Sequence, residues 1–263
     1  MRRLRRLIQK RTLRWSEGVC VIEGPDLVRS GLDASVEFEA IYIDADASKD
    51  PGLRSLVADA SDRGVRVFSL AAGVLDRVAD TTTPQPIMAA VRLPITEFSA
   101  IAPEGLILIL HDVRDPGNAG TLIRSADAAG ASGLIFTGTS VDPFNPKTLR
   151  STAGSIFHVP VAVASLEDAV TYLHSRAVRV LATVVRGGSK LREVDFSRPT
   201  AVVIGNEASG LDDAVIALCD SSLSIEMAGA SESLNAGVAG SLIAFEALWQ
   251  RQDTKRPPSP PSL

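Results

Sequence analysis

Apolar residues run along this chain in two rhythms. Leu106-Ile107-Leu108-Ile109-Leu110 and the stretches 133–137, 178–184 and 200–204 are near-continuous runs rich in Leu, Ile and Val. Strands covered by helices on both faces of a parallel sheet have this pattern. Helical spacing predicts helices over 118–130, 146–153, 167–176 and 233–250, and a short strand is expected near Ser224-Ile225. Earlier in the chain, strand-like runs at 18–22, 38–43 and 65–69 flank helical spacing of Leu53, Leu56, Val57 and Ala60, which stops at Gly64. That alternation predicts a smaller layered α/β unit. Thr81–Pro86 reads as a loop and Pro94–Pro103 as a linker. The expected organisation is a domain over 1–97, a linker over 98–104, a second domain over 105–251 and a disordered Pro-rich tail over 252–263.

With 263 residues, 45% of them hydrophobic, the chain can bury one large or two modest cores. No run approaches the roughly 20 apolar residues that span a bilayer, and MRRLRRLIQKRTLRW lacks the apolar stretch of a signal peptide, so the cytoplasm is expected. Cys20 and Cys219, with His111, His158 and His174, show neither a disulfide framework nor zinc spacing, and no metal is expected.

The net charge of -4 conceals an asymmetry. Arg2, Arg3, Arg5, Arg6, Lys10, Arg11 and Arg14 precede a body of residues 15–97 in which acids outnumber bases. Such an arm can displace counterions from RNA phosphates, or it can be the solvated face of a helix resting on Leu4, Leu7 and Ile8.

Three turns follow strands, at the carboxyl ends where open α/β sheets bind ligands. In Asp115-Pro116-Gly117-Asn118-Ala119-Gly120, Asn118 suits a helix cap. The helix after it would bury Ala119, Leu122, Ile123, Ala126 and Gly130 and point Arg124 outward, either as a functional cation or as a solubilising one. In Gly205-Asn206-Glu207-Ala208-Ser209-Gly210-Leu211, two glycines let main chain approach a planar ligand closely. The same stretch can be read as an ordinary strand-to-helix turn. In the third, Ile225 to Gly240, the small residues Ala236, Gly237, Ala239 and Gly240 lower helix propensity but allow close approach to a helix or a ligand, and Ser233 suits a cap. None of the three is a G-x-G-x-x-G dinucleotide fingerprint, which argues against a dehydrogenase.

Together and in this order, Asp115-Pro116-Gly117-Asn118-x-Gly120-x-x-x-Arg124, Gly205-Asn206-Glu207-x-x-Gly210-Leu211, and Ile225-x-Met227-x-Gly229 with Ser233-Leu234-Asn235 resemble the SpoU/TrmH branch of the SPOUT RNA methyltransferases. The connector from Asn145 to Val161, including Arg150, is similar too. Residues 1–97, with Glu23-Gly24 and Thr83-Pro84-Gln85, look like the ribosomal-protein-like α/β domain that precedes many members and binds substrate. After Ser-Leu-Asn the family usually continues Val-Ser, where this chain has Ala236-Gly237.

The resemblance implies a C-terminal α/β domain with a parallel sheet and a deep trefoil knot, working as a homodimer. It implies methyl transfer from S-adenosylmethionine to a ribose 2′-hydroxyl, most directly of 23S-type ribosomal RNA. Transfer RNA is the alternative acceptor, and a non-catalytic RNA-binding assembly protein the alternative of another class. By motif position Gly205, Ile225, Leu234, Met227 and Gly210 bind the cofactor. Arg124, Asn118, Glu207 and Asn235 form the catalytic set, with Arg124 acting either as a base or as a charged clamp. Arg150, Arg11 and Arg14 contact RNA, and Ser233 binds substrate or caps its helix.

Overall fold

The computed structural model describes residues 1–254; residues 255–263, most of the expected Pro-rich tail, lie outside the described residues. The chain forms two compact units, Met1–Ile95 with Asp142–His158, and Thr96–Val141 with the chain from Val159 onward.

In the first unit, strands β1 (Val19–Glu23), β2 (Phe38–Asp44), β3 (Val67–Leu70) and β4 (Ile87–Arg92) make a sheet of order β1-β4-β2-β3. β4 runs antiparallel to both β1 and β2, while β2 and β3 are parallel. β4 is not among the expected strands: Ile87 to Val91 is buried throughout, like β5 and β10, but its centre is Ala89-Ala90, a residue type depleted in strands. Helices α3 (Pro25–Asp33) and α4 (Pro51–Asp62) complete the layering, and α2 (Arg11–Glu17) leads into β1. Helix α1 (Arg2–Gln9) packs Leu4, Leu7 and Ile8 against Val19, Val21, Leu75, Val78, Met88 and Ala90. The basic arm therefore has an apolar underside, while Arg2, Arg5, Arg6, Lys10 and Arg11 face solvent.

Arg14 departs from the expectation that it contacts RNA. It is buried, and its Nε and Nη2 donate to Asp142 Oδ2 at 2.9 and 2.6 Å. Its Nη1 donates to the carbonyls of Leu7 and Ile8 at 2.7 and 3.0 Å. A buried guanidinium needs compensating acceptors, and this one finds its carboxylate 128 residues away. Local periodicity carries no trace of that partner.

Asp142 Oδ1 also accepts from the Phe144 amide, and Arg150 Nη1 donates to Glu23 Oε2 at 3.0 Å. Glu23 Oε1 in turn accepts from the Gln85 amide at 2.9 Å. Residues 142–158, including α6 (Pro146–Ser151), thus belong to the first unit, although the sequence reading put them in the second domain.

The second unit is a seven-stranded sheet, all pairs parallel. Its strands are β5 (Leu106–His111), β6 (Gly133–Thr137), β7 (Val161–Val163), β8 (Arg179–Thr183), β9 (Ser189–Lys190), β10 (Thr200–Ile204) and β11 (Ser221–Ser224), in the order β7-β6-β5-β10-β8-β11-β9. Helix α7 (Leu166–Ser175) closes a core with Ile107, Ile109, Ile135, Val180, Ala201 and Val203. The short helix α8 (Asp213–Ala217) follows β10.

Helix α5 (Pro116–Ala128) lies against α9 (Ala236–Thr254). A Cβ at Gly240 would overlap Leu122 and stand 2.6 Å from Ile204 Cδ1. Gly237, which stands close to Thr121, and Gly240 therefore serve approach to α5 and β10 of the same chain. Both helices also start where the sequence reading did not place them. α5 begins at Pro116, with Asp115 as the cap accepting from the Asn118 amide at 2.8 Å. α9 begins at Ala236, and its cap is Asn235, whose Oδ1 accepts from Val238 at 3.2 Å, in place of Ser233.

The buried pair generates a prediction. Asp142→Ala leaves Arg14 uncompensated and should destabilise the protein by about 3–5 kcal/mol in urea unfolding. It should also speed modification of Cys20, a buried thiol whose pKa burial pushes up to about 12, whereas Arg11→Ala should change neither.

Candidate active site

The three turns singled out by sequence meet at the carboxyl end of the parallel sheet. Glu207, just past β10, accepts from Asn118 Nδ2 at 2.9 Å and from the amides of Asp115 and Arg114 at 3.2 and 3.3 Å. Asn118 Oδ1 accepts from Asn235 Nδ2 at 2.8 Å, and Asn235 Oδ1 caps α9. A carboxylate only accepts, so Glu207 fixes which end of the Asn118 amide faces it. Asn118 in turn fixes Asn235. Because Asp115 takes the capping role, the Asn118 side chain is free to bridge the other two turns.

Burial of the Glu207 carboxyl pushes its pKa up, but the hydrogen bonds from Asn118, its own backbone, Arg114 and Asp115 outweigh that and hold it below the usual glutamate value. Glu207 is therefore an ionised, engaged acceptor at neutral pH and not a spare base.

Asn206 organises the turn itself. Its Nδ2 donates to the Asp112 carbonyl at 2.9 Å, and its Oδ1 accepts from the amides of Ala208 and Ser209 at 2.9 and 3.1 Å. Gly205 is pressed against the returning chain, since a Cβ there would stand 2.7 Å from Gly210 C and 2.8 Å from Leu211 Cδ2.

Beside this turn lies a cavity of about 220 Å³. Gly205, Gly210, Ile225, Met227 and Leu234 all border it, as do Ser233 and Glu207. Thr183, Val184 and Val185 close another side. The sequence reading did not nominate them, although β8 sits between β10 and β11 and its carboxyl end opens on the same edge.

Other expected residues lie elsewhere. Arg124 is exposed on α5, does not border the cavity, and has no hydrogen bond or ion pair among the described residues. Arg11 is exposed in the first unit, Arg14 is buried there, and Arg150 is half-buried against Glu23. Among the described residues no group of three or more His, Cys, Asp or Glu could hold a metal ion, and no helix is long and apolar enough to cross a membrane.

The tight turn gives a test. Gly205→Ala must displace main chain and should cost about 1–3 kcal/mol, whereas Ser209→Ala, on the exposed rim, should stay within about 0.5 kcal/mol. Urea unfolding of both variants measures the difference.

Comparison with known proteins agrees with this geometry. Residues 105–245 match the SpoU rRNA Methylase family, and residues 1–89 match an MRM3-like substrate binding domain. The chain is 34% identical to the 23S rRNA (guanosine(2553)-2′-O)-methyltransferase RlmP of Bacillus subtilis, over 79% of this chain and 86% of that protein. Among solved structures it is similar to the AdoMet-bound rRNA methyltransferase from Sinorhizobium meliloti, with 32% identity, a TM-score of 0.82, and 94% and 92% of the two chains covered. It is also similar to the SpoU methyltransferase AviRb from Streptomyces viridochromogenes in complex with AdoMet, with 29% identity, a TM-score of 0.85, and 96% and 98% covered. A seven-stranded parallel sheet, three turns joined through one carboxylate and a match over more than half its length mark this chain as a member of the SpoU rRNA methylase family.

Proposed function

We propose that this protein transfers a methyl group from S-adenosylmethionine to a ribose 2′-hydroxyl of 23S-type ribosomal RNA. The observation that carries the reading is the hydrogen-bonded series Glu207–Asn118–Asn235, which ties the first motif turn to a cavity bordered by the second and third.

The cavity walls fit this cofactor. Ile204, Leu223, Ile225 and Leu234 offer apolar surface to an adenine, while main chain at Gly205, Ile225 and Leu234 reads its edge, with Met227 and Gly210 alongside. The cofactor supplies a sulfonium methyl group open to in-line attack. Glu207, Asn118 and Asn235 hold the turns rigid, so that the incoming ribose oxygen meets a fixed target. With the cofactor bound, the O–CH3 bond would form as the S–CH3 bond breaks, its electron pair leaving the sulfur as a neutral thioether, and the hydroxyl proton would pass to water. A guanidinium keeps its proton across the working pH range, so Arg124 acts electrostatically, gripping the neighbouring phosphate and stabilising the developing oxyanion.

Arg124 does not border the cavity of its own chain, and we infer that a second copy delivers it. α9 supports a homodimer by leaving Val238, Leu242 and Trp249 exposed at 47%, 41% and 52%, on a helix already packed against the one that carries Arg124. The first unit adds RNA affinity through Arg2, Arg5, Arg6, Lys10 and Arg11. Family membership supports a trefoil knot in the passage from β10 to α9, an arrangement rare among proteins in general, and the cytoplasm as the compartment.

Labelled methyl transfer to unmodified 23S, 16S and transfer RNA tests the reading. Label should enter 23S RNA, and acceptance by transfer RNA alone would overturn the ribosomal assignment. Arg124→Ala should lower kcat by about 100-fold or more with cofactor affinity unchanged, and equal incorporation would remove Arg124 from the mechanism. Combining Leu242→Glu with Trp249→Glu should give monomers by sedimentation and abolish transfer, and monomers as active as wild type would refute completion of the site by a second copy.

A further inference from the structure

We propose that Arg114 and Thr139 form a seat for one phosphodiester of the RNA, next to the ribose that is methylated; the inference rests on the methyl-transfer reading above. In RNA the 2′-hydroxyl and the 3′-phosphate occupy adjacent carbons of one ribose. A protein that aims the hydroxyl gains most by holding that phosphate.

Arg114 is placed for this task. It lies between β5 and α5, and its amide donates to Glu207 Oε2, one hydrogen bond from the rim of the cavity. Its side chain is exposed, with Nη2 donating to Thr139 Oγ1 at 3.3 Å. Thr139 is itself pinned, since both its amide and its hydroxyl donate to Asp112 Oδ1, at 2.5 and 2.9 Å. Asp112 sits in the left-handed region at φ 55°, an uncommon backbone state for a residue other than glycine and one concentrated at functional sites.

Arg114 feels the charge of Asp112, whose pKa it helps to lower after the hydrogen bonds from Thr139, but no carboxylate among the described residues pairs with it directly. Three carboxylates stand near it, and each has donors of its own. Glu207 is engaged by Asn118 and two amides, Asp115 caps the Asn118 amide, and Asp112 holds Thr139. Arg3, Arg63, Arg92 and Arg150 all form ion pairs within 4.0 Å, whereas Arg114 forms none among the described residues. A guanidinium steadied by a neutral hydroxyl keeps both its charge and its planar fork for a ligand, and that fork matches a phosphate bidentately. A merely solubilising Arg would need no such tether.

The test measures RNA affinity between 50 and 200 mM KCl, with unmodified 23S RNA as the probe and cofactor affinity followed by calorimetry. Arg114→Ala should weaken RNA binding about tenfold and flatten the slope of log K against log salt by about 0.7–0.9, the value of one lost phosphate contact. Cofactor affinity should stay within twofold. Arg114→Lys should keep the slope while losing about threefold in affinity, and Thr139→Val should weaken binding with the slope kept. An unchanged slope and affinity in Arg114→Ala, or a fall in cofactor affinity matching the fall in RNA affinity, overturns the seat. If wild type modifies transfer RNA instead, only the ribosomal assignment falls and the slope is read on that RNA. Wild-type protein that binds neither RNA overturns both readings.

Discussion

One ionised carboxylate holds the functional end of the second unit together. Glu207 is the acceptor on which the start of α5, the Asn118 side chain and, through Asn118, the cap of α9 all converge. Buried polar networks are cooperative, and a member deprived of its partner costs more than the bond it made. Asn118 has only 9% of its surface exposed and would be left with an unmet amide if Glu207 moved. The parallel sheet beneath supplies the rigidity, because β10 is flanked by β5 and β8 and cannot shift without breaking two ladders.

Much of this was legible in the chain. The four apolar runs became β5, β6, β8 and β10, and the residues nominated on motif grounds around Gly205 and Ile225 border one cavity. What escaped the reading had physical causes. β4 is as continuously buried as β5 and β10, but Ala89-Ala90 at its centre carries little strand propensity. Helix starts shifted because several capping residues competed. Asp115 displaced Asn118, and Asn235 displaced Ser233, in each case freeing or fixing an amide that the site uses. The small residues of α9 were legible as a sign of close packing, but their partner, Leu122 of α5, depends on tertiary contact.

The cations of the chain separate by what surrounds them, and no count of charge could have sorted them. Arg11 and Arg14 stand three residues apart in one basic run, yet Arg11 is open to solvent while Arg14 is locked between Asp142 and two carbonyls. Arg150 is engaged by Glu23, and the Gln85 amide takes the other oxygen of that carboxylate. Residues three apart share a helix face, so phase does not separate them: Arg11 opens α2 and stays exposed, whereas Arg14, one turn further on, meets Asp142 and the carbonyls of Leu7 and Ile8.

The excursion of residues 142–158 into the first unit bears on the order in which the molecule can be assembled. A nascent chain that has released only its first hundred residues carries the Arg14 side chain without its acid, and the hydrophobic shell around it cannot close favourably. The acid that compensates Arg14 and the partner of Glu23 are supplied only by residues 142 and 150, after β5 and β6 have been synthesised. The amino-terminal body is thus discontinuous in sequence, and its full set of buried contacts exists only once the chain has passed through part of the second body.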